Sequence, residues 1–283
     1  MRTQKPVLVL MAALVALGAC TRNFDEVKDP LGQNVIDDAG LNDLLLTAGD
    51  PEYSVNYFQS SLAREPERAD LRRGLAISLN RAKRYPESAR VYQEMIALNQ
   101  AEPADRLAYG FVAVRLGKWE EVKSVNTSLP PGLNTSRRHL LSAMVADNDQ
   151  QWDTADAAYA RAETLATNPA DVLNNWGVSH MSRGDLDKAG QVFERALSYN
   201  SRLFSAKNNL AITRGLQGDY NLPLVPMTET ERATLLNNLG LIATRQGDLR
   251  QARGLFAAAV DTHPQHYAAA ADRLAALDGK VEN

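Results

Sequence analysis

Residues that could carry out chemistry are few in this sequence of 283 residues. Of its four histidines, only His263 and His266 are spaced as two ligands of one metal ion could be. No cysteine and no obvious third ligand accompanies them, whereas protein zinc sites use at least three protein ligands. The sequence also contains no Gly-x-Ser-x-Gly, His-Glu-x-x-His, P-loop or dinucleotide-binding motif. We therefore predict a non-enzymatic protein with no metal and no cofactor, with an enzyme hidden in the irregular N-terminal half as the open alternative.

The only cysteine, Cys20, stands where a lipid could be attached. Arg2 and Lys5 precede an apolar run, residues 7–17, that is too short to span a bilayer comfortably. The run ends in Leu-Gly-Ala directly before Cys20. This stretch resembles a bacterial lipoprotein signal, which implies cleavage of residues 1–19 and acylation of Cys20. An ordinary secretory signal with a chance cysteine is the alternative.

The residues after Cys20 predict where the protein resides. Thr21 stands at the position where an aspartate is the usual signal for retention in the inner membrane, so the resemblance implies the outer membrane. Residues 20–34 are polar, and we interpret them as the lipidated cysteine and a tether. The repeats would then be lipid-anchored at the periplasmic face of the outer membrane. A formal net charge of −3 gives no sign of nucleic-acid binding.

A series of asparagines recurs at one place in three successive segments of the C-terminal half: Asn175, Asn209 and Asn238. An apolar residue follows each of them three positions later, at Val178, Ile212 and Leu241. In a helix these positions lie on one stripe. An asparagine amide can both donate and accept hydrogen bonds, so the stripe is a candidate surface for binding the backbone of a peptide. The alternative is that the asparagines only brace their own repeats.

The segment from Ala170 to Leu203 indicates the element that carries this stripe. Its apolar and small residues recur every three or four positions in two halves, which predicts two amphipathic helices. Gly184 could take the left-handed conformation that ends the first helix, and Asp185 could cap the second. Such a helix pair cannot bury its own apolar face, so we expect it to stack against similar pairs.

Copies of this segment begin at Phe204 and Ala233, and they resemble the tetratricopeptide repeat (TPR). Shared features include Trp176-Gly177 and Leu239-Gly240 at the seventh and eighth positions, with Phe193 and Phe256 at the twenty-fourth. The resemblance implies an all-α TPR solenoid, a right-handed superhelix of helix-turn-helix repeats, in an array over residues 35–266. It also implies that the stripe of asparagines and apolar residues lines the concave, peptide-binding groove of that array. We assign about six to seven repeats, at residues 35–68, 69–102, 103–133, 136–169, 170–203, 204–232 and 233–266. Residues 267–283 should form a C-terminal cap helix and tail.

Prolines interrupt the pattern at two places. Residues 130–132, Pro-Pro-Gly, should cut one second helix short. In the unit that starts at Phe204, Pro223 and Pro226 deny a helix interior, so we predict a shortened second helix with a surface loop. The alternative is an apolar loop, Leu222 to Met227, that is offered to a partner.

The segment from Asn208 to Tyr220, the Leu-Pro-Leu-Val-Pro-Met run and the closing repeat up to His266 are similar to the tight-adherence (Tad/Flp) pilus assembly TPR lipoproteins of α-proteobacteria. This resemblance implies a protein–protein adaptor or pilotin in pilus assembly and secretion, with an outer-membrane secretin or another pilus component as its partner. A periplasmic scaffold for cell-wall hydrolases or for outer-membrane assembly machinery is the alternative.

Overall fold

The computed structural model of the protein describes residues 38–281, and it describes the surroundings of side chains from Gly40 to Leu277. The prediction of an all-α chain is confirmed, since the described residues contain helices and no strand. The helices are α1 (Asp38–Thr47), α2 (Pro51–Arg64), α3 (Ala69–Arg81), α4 (Tyr85–Ala97), α5 (Pro103–Arg115), α6 (Trp119–Ser128), α7 (Ser136–Asn148), α8 (Trp152–Leu165), α9 (Ala170–Ser182), α10 (Leu186–Tyr199), α11 (Phe204–Leu216), α12 (Glu229–Gln246), α13 (Leu249–Thr262) and α14 (Ala268–Val281).

The chain divides after Asp50 into two compact units, of which the first contains α1 and the second contains α2 to α14. Within the second unit each helix packs against the next one along the chain. In addition, α5 contacts α7 and α9 contacts α11, so the first helices of successive pairs meet directly at these two places. The second unit is therefore a continuous stack of helices in which each element is held by its neighbours.

The pair α9–α10 shows why small residues recur in the pattern. A Cβ atom added at Gly177 would lie only 2.5 Å from Cε1 of Phe193, so glycine lets the two helices approach around the buried ring. Gly184 has a φ of +81° and ends α9, as the sequence predicts. Asp185 occupies the N-cap position of α10, but its side chain caps no helix N–H and pairs with Lys188 at 3.0 Å. Asp185 therefore stands at the predicted N-cap position, with its side chain paired to Lys188.

Both proline-containing interruptions end or replace a helix. The helix α6 ends at Ser128, before the Pro-Pro-Gly sequence, as predicted. After α11 no helix forms until Glu229, so the predicted short second helix of this unit is wrong. Residues 217–228, which we call the strap, take the place of that helix. Thr228 and Glu231 then form a reciprocal capping box that starts α12.

The strap is joined to the array by side chains that point inward. Tyr220, Leu222 and Met227 pack against the apolar cluster of α11 to α14, and Val225 packs against the cluster of α9 to α11. Among the large apolar side chains of the strap, only Leu224 is fully exposed, at 102% of its reference area. The strap therefore serves mainly as packing between two clusters, and most of its apolar side chains are not offered to a partner.

Candidate protein-binding groove

A groove of about 920 Å³ crosses the first helices of successive pairs. Its walls come from α3, α5, α7, α9 and α11, represented by Asn80, Phe111, Arg137, Asn174 and Ser205. Direct packing joins α5 to α7 and α9 to α11 along this wall. A surface of this size and composition suits an extended segment of another protein.

Two arginines in the groove lie over aromatic rings. The guanidinium carbon of Arg115 is 5.8 Å from the centre of the Tyr85 ring, and that of Arg137 is 5.0 Å from the centre of the Phe111 ring. All four residues line the groove. An arginine held against a ring loses little further side-chain freedom when it binds a ligand, and its N–H groups stay available at the edge.

The predicted asparagine series takes part in hydrogen bonds between neighbouring repeats. Asn209 Nδ2 donates to Asn174 Oδ1 at 3.0 Å, and Asn238 Nδ2 donates to Asn208 Oδ1 at 2.7 Å. At the next step a guanidinium N–H of Arg273 donates to Asn237 Oδ1 at 2.9 Å. We call these three contacts the asparagine ladder. The first two contacts join the fifth residue of one repeat to the sixth residue of the next repeat. The third joins α12 to α14 at the end of the array.

The six predicted groove residues are distributed unevenly. Asn175 lines the groove, and its Nδ2 donates to the Asp171 carbonyl oxygen at 2.7 Å. Asn209 and Asn238 lie beyond the groove, in the ladder. Val178 is 38% exposed, whereas Ile212 and Leu241 are half-buried against the apolar cluster of α11 to α14. Cys20, the predicted lipidation site, lies outside the described residues.

The sequence analysis missed the ladder partners, although a signal for them exists. Each of three first helices carries two adjacent asparagines: Asn174-Asn175, Asn208-Asn209 and Asn237-Asn238. The second member of each pair was predicted, but the first member was not. Neighbouring asparagines that repeat with the period of the array could have indicated hydrogen bonds from one repeat to the next.

A polar network fixes the position of α9 against α7 and α8. Asp156 accepts hydrogen bonds from Trp176 at 2.7 Å and from Arg183 at 2.6 and 2.9 Å. Asp147 accepts from Tyr159 at 2.7 Å and from Ser179 at 2.6 Å. The hydrogen bond from the Arg183 guanidinium holds the pKa of the Asp156 carboxyl below its ordinary value. The network thus orients the helix that carries Asn174 and Asn175.

Aromatic rings complete this junction. The Trp176 ring stacks between Tyr159 and His180, with centroid distances of 5.9 and 6.0 Å. Burial lowers the pKa of His180, which favours a neutral ring beside Arg183. The Arg183 guanidinium also lies over the Trp152 ring at 5.1 Å. Trp152, at the start of α8, thus joins the same junction through a cation–π contact.

Within residues 38–281 we find no cluster of three or more His, Cys, Asp or Glu side chains arranged to hold a metal ion. His263 Nδ1 instead lies 2.8 Å from the Gln265 carbonyl oxygen, and its ring packs against Tyr267. None of the helices in this part of the chain is both long and apolar enough to cross a membrane.

Family models of the tetratricopeptide repeat match residues 43–103 and 232–266. The helices in these two stretches match tetratricopeptide repeats. Two solved structures share the fold. The APC/C hetero-tetramer Cut9–Hcn1 is 15% identical with a TM-score of 0.57, and the match covers 83% of this chain and 48% of that one. A TPR protein from Parabacteroides merdae is 13% identical with a TM-score of 0.56, and the match covers 84% of this chain and 96% of that one. The predicted TPR solenoid is thereby confirmed.

One curated relative, the photosystem I assembly protein Ycf3 of Rippkaea orientalis, is 34% identical over 79 residues. The match covers 27% of this chain and 46% of the relative, so the chain spans less than half the length of that protein. TPR arrays are scaffolds for protein–protein interaction, and their role is to bind protein partners. The groove described above gives such a partner a surface to lie on.

Proposed function

We propose that this protein is a non-enzymatic adaptor that holds an extended segment of a partner protein along the TPR groove. The observation that carries the proposal is the groove of about 920 Å³, built by the first helices of successive repeats. Its walls combine apolar side chains such as Leu140 and Met144 with the amides of Asn174 and Asn175. Apolar side chains of a partner could lie on the former while its backbone hydrogen bonds to the latter.

We further propose that the asparagine series extends this surface toward the C-terminus. An asparagine side chain has two N–H donors and an acceptor oxygen, so one ladder bond does not exhaust Asn209 or Asn238. Val178, exposed beside Asn175, offers apolar contact on the same stripe, and Ile212 and Leu241 follow further along it with their half-buried side chains.

The triple change Asn175→Ala, Asn209→Ala and Asn238→Ala tests this extension. We expect a lower melting temperature, because ladder bonds are lost, and a partner affinity weakened by about ten-fold or more, at about 0.5–1.5 kcal/mol per hydrogen bond. An unchanged affinity for the partner would show that the asparagines only brace the repeats.

We propose that the cell places this adaptor at the outer membrane through lipid on Cys20. The support is the Leu-Gly-Ala-Cys sequence that follows a short apolar run. Several acyl chains anchor a protein firmly, whereas a single chain binds only marginally. Labelling cells with a radioactive fatty acid should mark the wild-type protein and leave a Cys20→Ser variant unmarked. An unlabelled wild-type protein would contradict lipidation.

We propose that the partner is the secretin of a Tad/Flp pilus, or another component of that assembly. The support is the sequence resemblance over the C-terminal third and the combination of a membrane anchor with a partner-binding array. The relative from Rippkaea orientalis is also named for an assembly role. A factor that holds a secretin subunit at the membrane needs both an anchor and a binding groove.

Deletion of the gene tests this function. We expect secretin monomers to be mislocalised and surface pili to be absent, and we expect the wild-type gene to restore both. The Cys20→Ser gene, expressed at the same level, should fail to restore them. Normal secretin multimers and normal pili in the deletion strain would overturn the assignment.

A further inference from the structure

We propose that the groove between α5, α7 and α9 selects an acidic, extended segment of the partner, whose carboxylates bind Arg115 and Arg137. This proposal adds detail to the proposed function. It rests on that function for one assumption, which is that a protein segment occupies the groove. The proposal concerns the chemistry of that segment and not the identity of the protein that carries it.

The first argument is that these two arginines have no carboxylate partner of their own. Within residues 40–277, no carboxylate lies at salt-bridge distance from Arg115 or Arg137. Other arginines of the array are paired: Arg73 with Asp105 at 2.7 Å, and Arg183 with Asp156 at 2.6 Å. The groove arginines are instead held by the rings of Tyr85 and Phe111.

The second argument concerns geometry. A guanidinium group has five N–H donors in one plane, and a carboxylate accepts two of them in parallel. Packing on a ring occupies a face of the guanidinium and leaves its N–H edges free. The arginines are therefore prepared to bind carboxylates, and less conformational entropy is lost on binding than for a freely moving side chain.

The third argument is the local charge. The chain as a whole is acidic, with a formal net charge of −3. The residues that line the groove nevertheless include two arginines and one carboxylate, Asp171. An acidic segment would be attracted to this surface, whereas a basic segment would be repelled.

The remaining lining residues favour a peptide over a nucleic acid. Val114, Leu140 and Met144 form apolar parts of the wall, on which peptide side chains can lie. The amides of Asn174 and Asn175 match a peptide backbone. A nucleic acid would need cationic side chains along its whole phosphate backbone, and this groove supplies only two.

Fluorescence anisotropy with the purified full-chain protein tests the proposal. The probes are a labelled short peptide that alternates glutamate with leucine, the same peptide with glutamine in place of glutamate, and an unlabelled single-stranded oligonucleotide as competitor. We expect the glutamate peptide to bind about ten-fold more tightly than the glutamine peptide, which two charge-assisted contacts can supply. This preference should shrink as salt is raised.

Three double variants locate the effect. The change Arg115→Gln with Arg137→Gln should abolish the preference for glutamate, and Arg115→Lys with Arg137→Lys should retain part of it, because lysine keeps the charge but lacks the planar fork. The matched control, Arg245→Gln with Arg250→Gln, removes two exposed arginines of α12 and α13 and should leave the preference intact. Circular dichroism melts establish that each variant is folded.

Equal binding of the two peptides by the wild-type protein would overturn the proposal. So would an equal loss in the control variant, or displacement of the peptide by the oligonucleotide at matched charge. Its failure is separable from that of the proposed function. If the deletion strain loses secretin multimers but the Arg115→Gln, Arg137→Gln gene restores them, only the acidic segment is refuted. If the peptide preference holds while secretin multimers are normal in the deletion strain, only the pilus role is refuted.

Discussion

The helix pair α9–α10 and the lone helix α11 with its strap follow one another in the chain, and they bury apolar surface in different ways. In the pair, Phe193 is fully buried against Gly177, and helix packs on helix. Beside α11, the strap covers the array with Leu222 and Val225, which are only half-buried. The comparison teaches that the second helix of a TPR can be replaced by an irregular segment if that segment still joins the clusters on both sides.

The largest expected difference between the two regions concerns side-chain truncation. Phe193→Ala should lower the free energy of unfolding by about 3–5 kcal/mol, because it leaves a cavity between α9 and α10. Leu222→Ala in the strap should cost about 1–2 kcal/mol, since this side chain is only half-buried. Urea unfolding of both variants measures the difference. Equal costs would mean that the strap is packed as tightly as a helix pair.

A smaller effect is expected from the close approach in the pair. Gly177→Ala places a methyl group 2.5 Å from Phe193 Cε1, so overpacking should cost about 1–3 kcal/mol. Gly190→Ala in α10 is the matched control, because no atom lies within 4 Å of its added Cβ. That change should stabilise the protein by about 0.5–1 kcal/mol through helix propensity. If both changes stabilise it, the tight crossing of α9 and α10 is refuted.

The polar network gives the smallest effect and a pH dependence. Arg183 depresses the pKa of Asp156, so this interaction stabilises the fold above about pH 4, the ordinary aspartate value, and the stabilisation is lost as pH falls through the depressed pKa. Asp156→Asn should therefore cost about 1–2 kcal/mol at pH 7, a value reduced by partial exposure, and less at pH 3. Urea unfolding at the two pH values measures this.

Asp153→Asn is the control for this measurement, because it removes an exposed carboxyl from the same helix, α8. Its free energy of unfolding should follow that of the wild type at both pH values. A loss for Asp156→Asn that is the same at pH 3 as at pH 7 would show that the carboxylate charge does not contribute to holding α9.

The sequence was a good guide to the fold wherever one residue type is needed at a helix crossing. Gly177 and Phe193 can be recognised in the sequence as a pair, because the buried Phe193 ring fits only against a residue without a side chain. The strap was harder to predict, because Pro223 and Pro226 exclude a helix interior without specifying what replaces it. Asp185 stands at the predicted N-cap position, but whether its carboxylate turns to the helix N–H groups or to Lys188 depends on side-chain geometry, which the sequence does not specify.

The candidate site was predicted only in part. The helical period puts the asparagines on one stripe, but it does not show how successive first helices align. That alignment decides that Asn238 meets Asn208 and that the groove is centred on α7 and α9. The arginines of the groove escaped notice because Arg115 ends one first helix and Arg137 begins the next, so no repeat period connects them.

The central claim is that a partner protein lies in the groove, and photo-crosslinking in living cells tests it most directly. A photoreactive amino acid in place of Ser205, in the groove, is compared with one in place of Gln191, exposed on the second helix α10. Irradiated cells should yield a crosslinked partner from position 205 and none from position 191, with mass spectrometry identifying the partner. A partner crosslinked from position 191 but not from 205 would contradict the account.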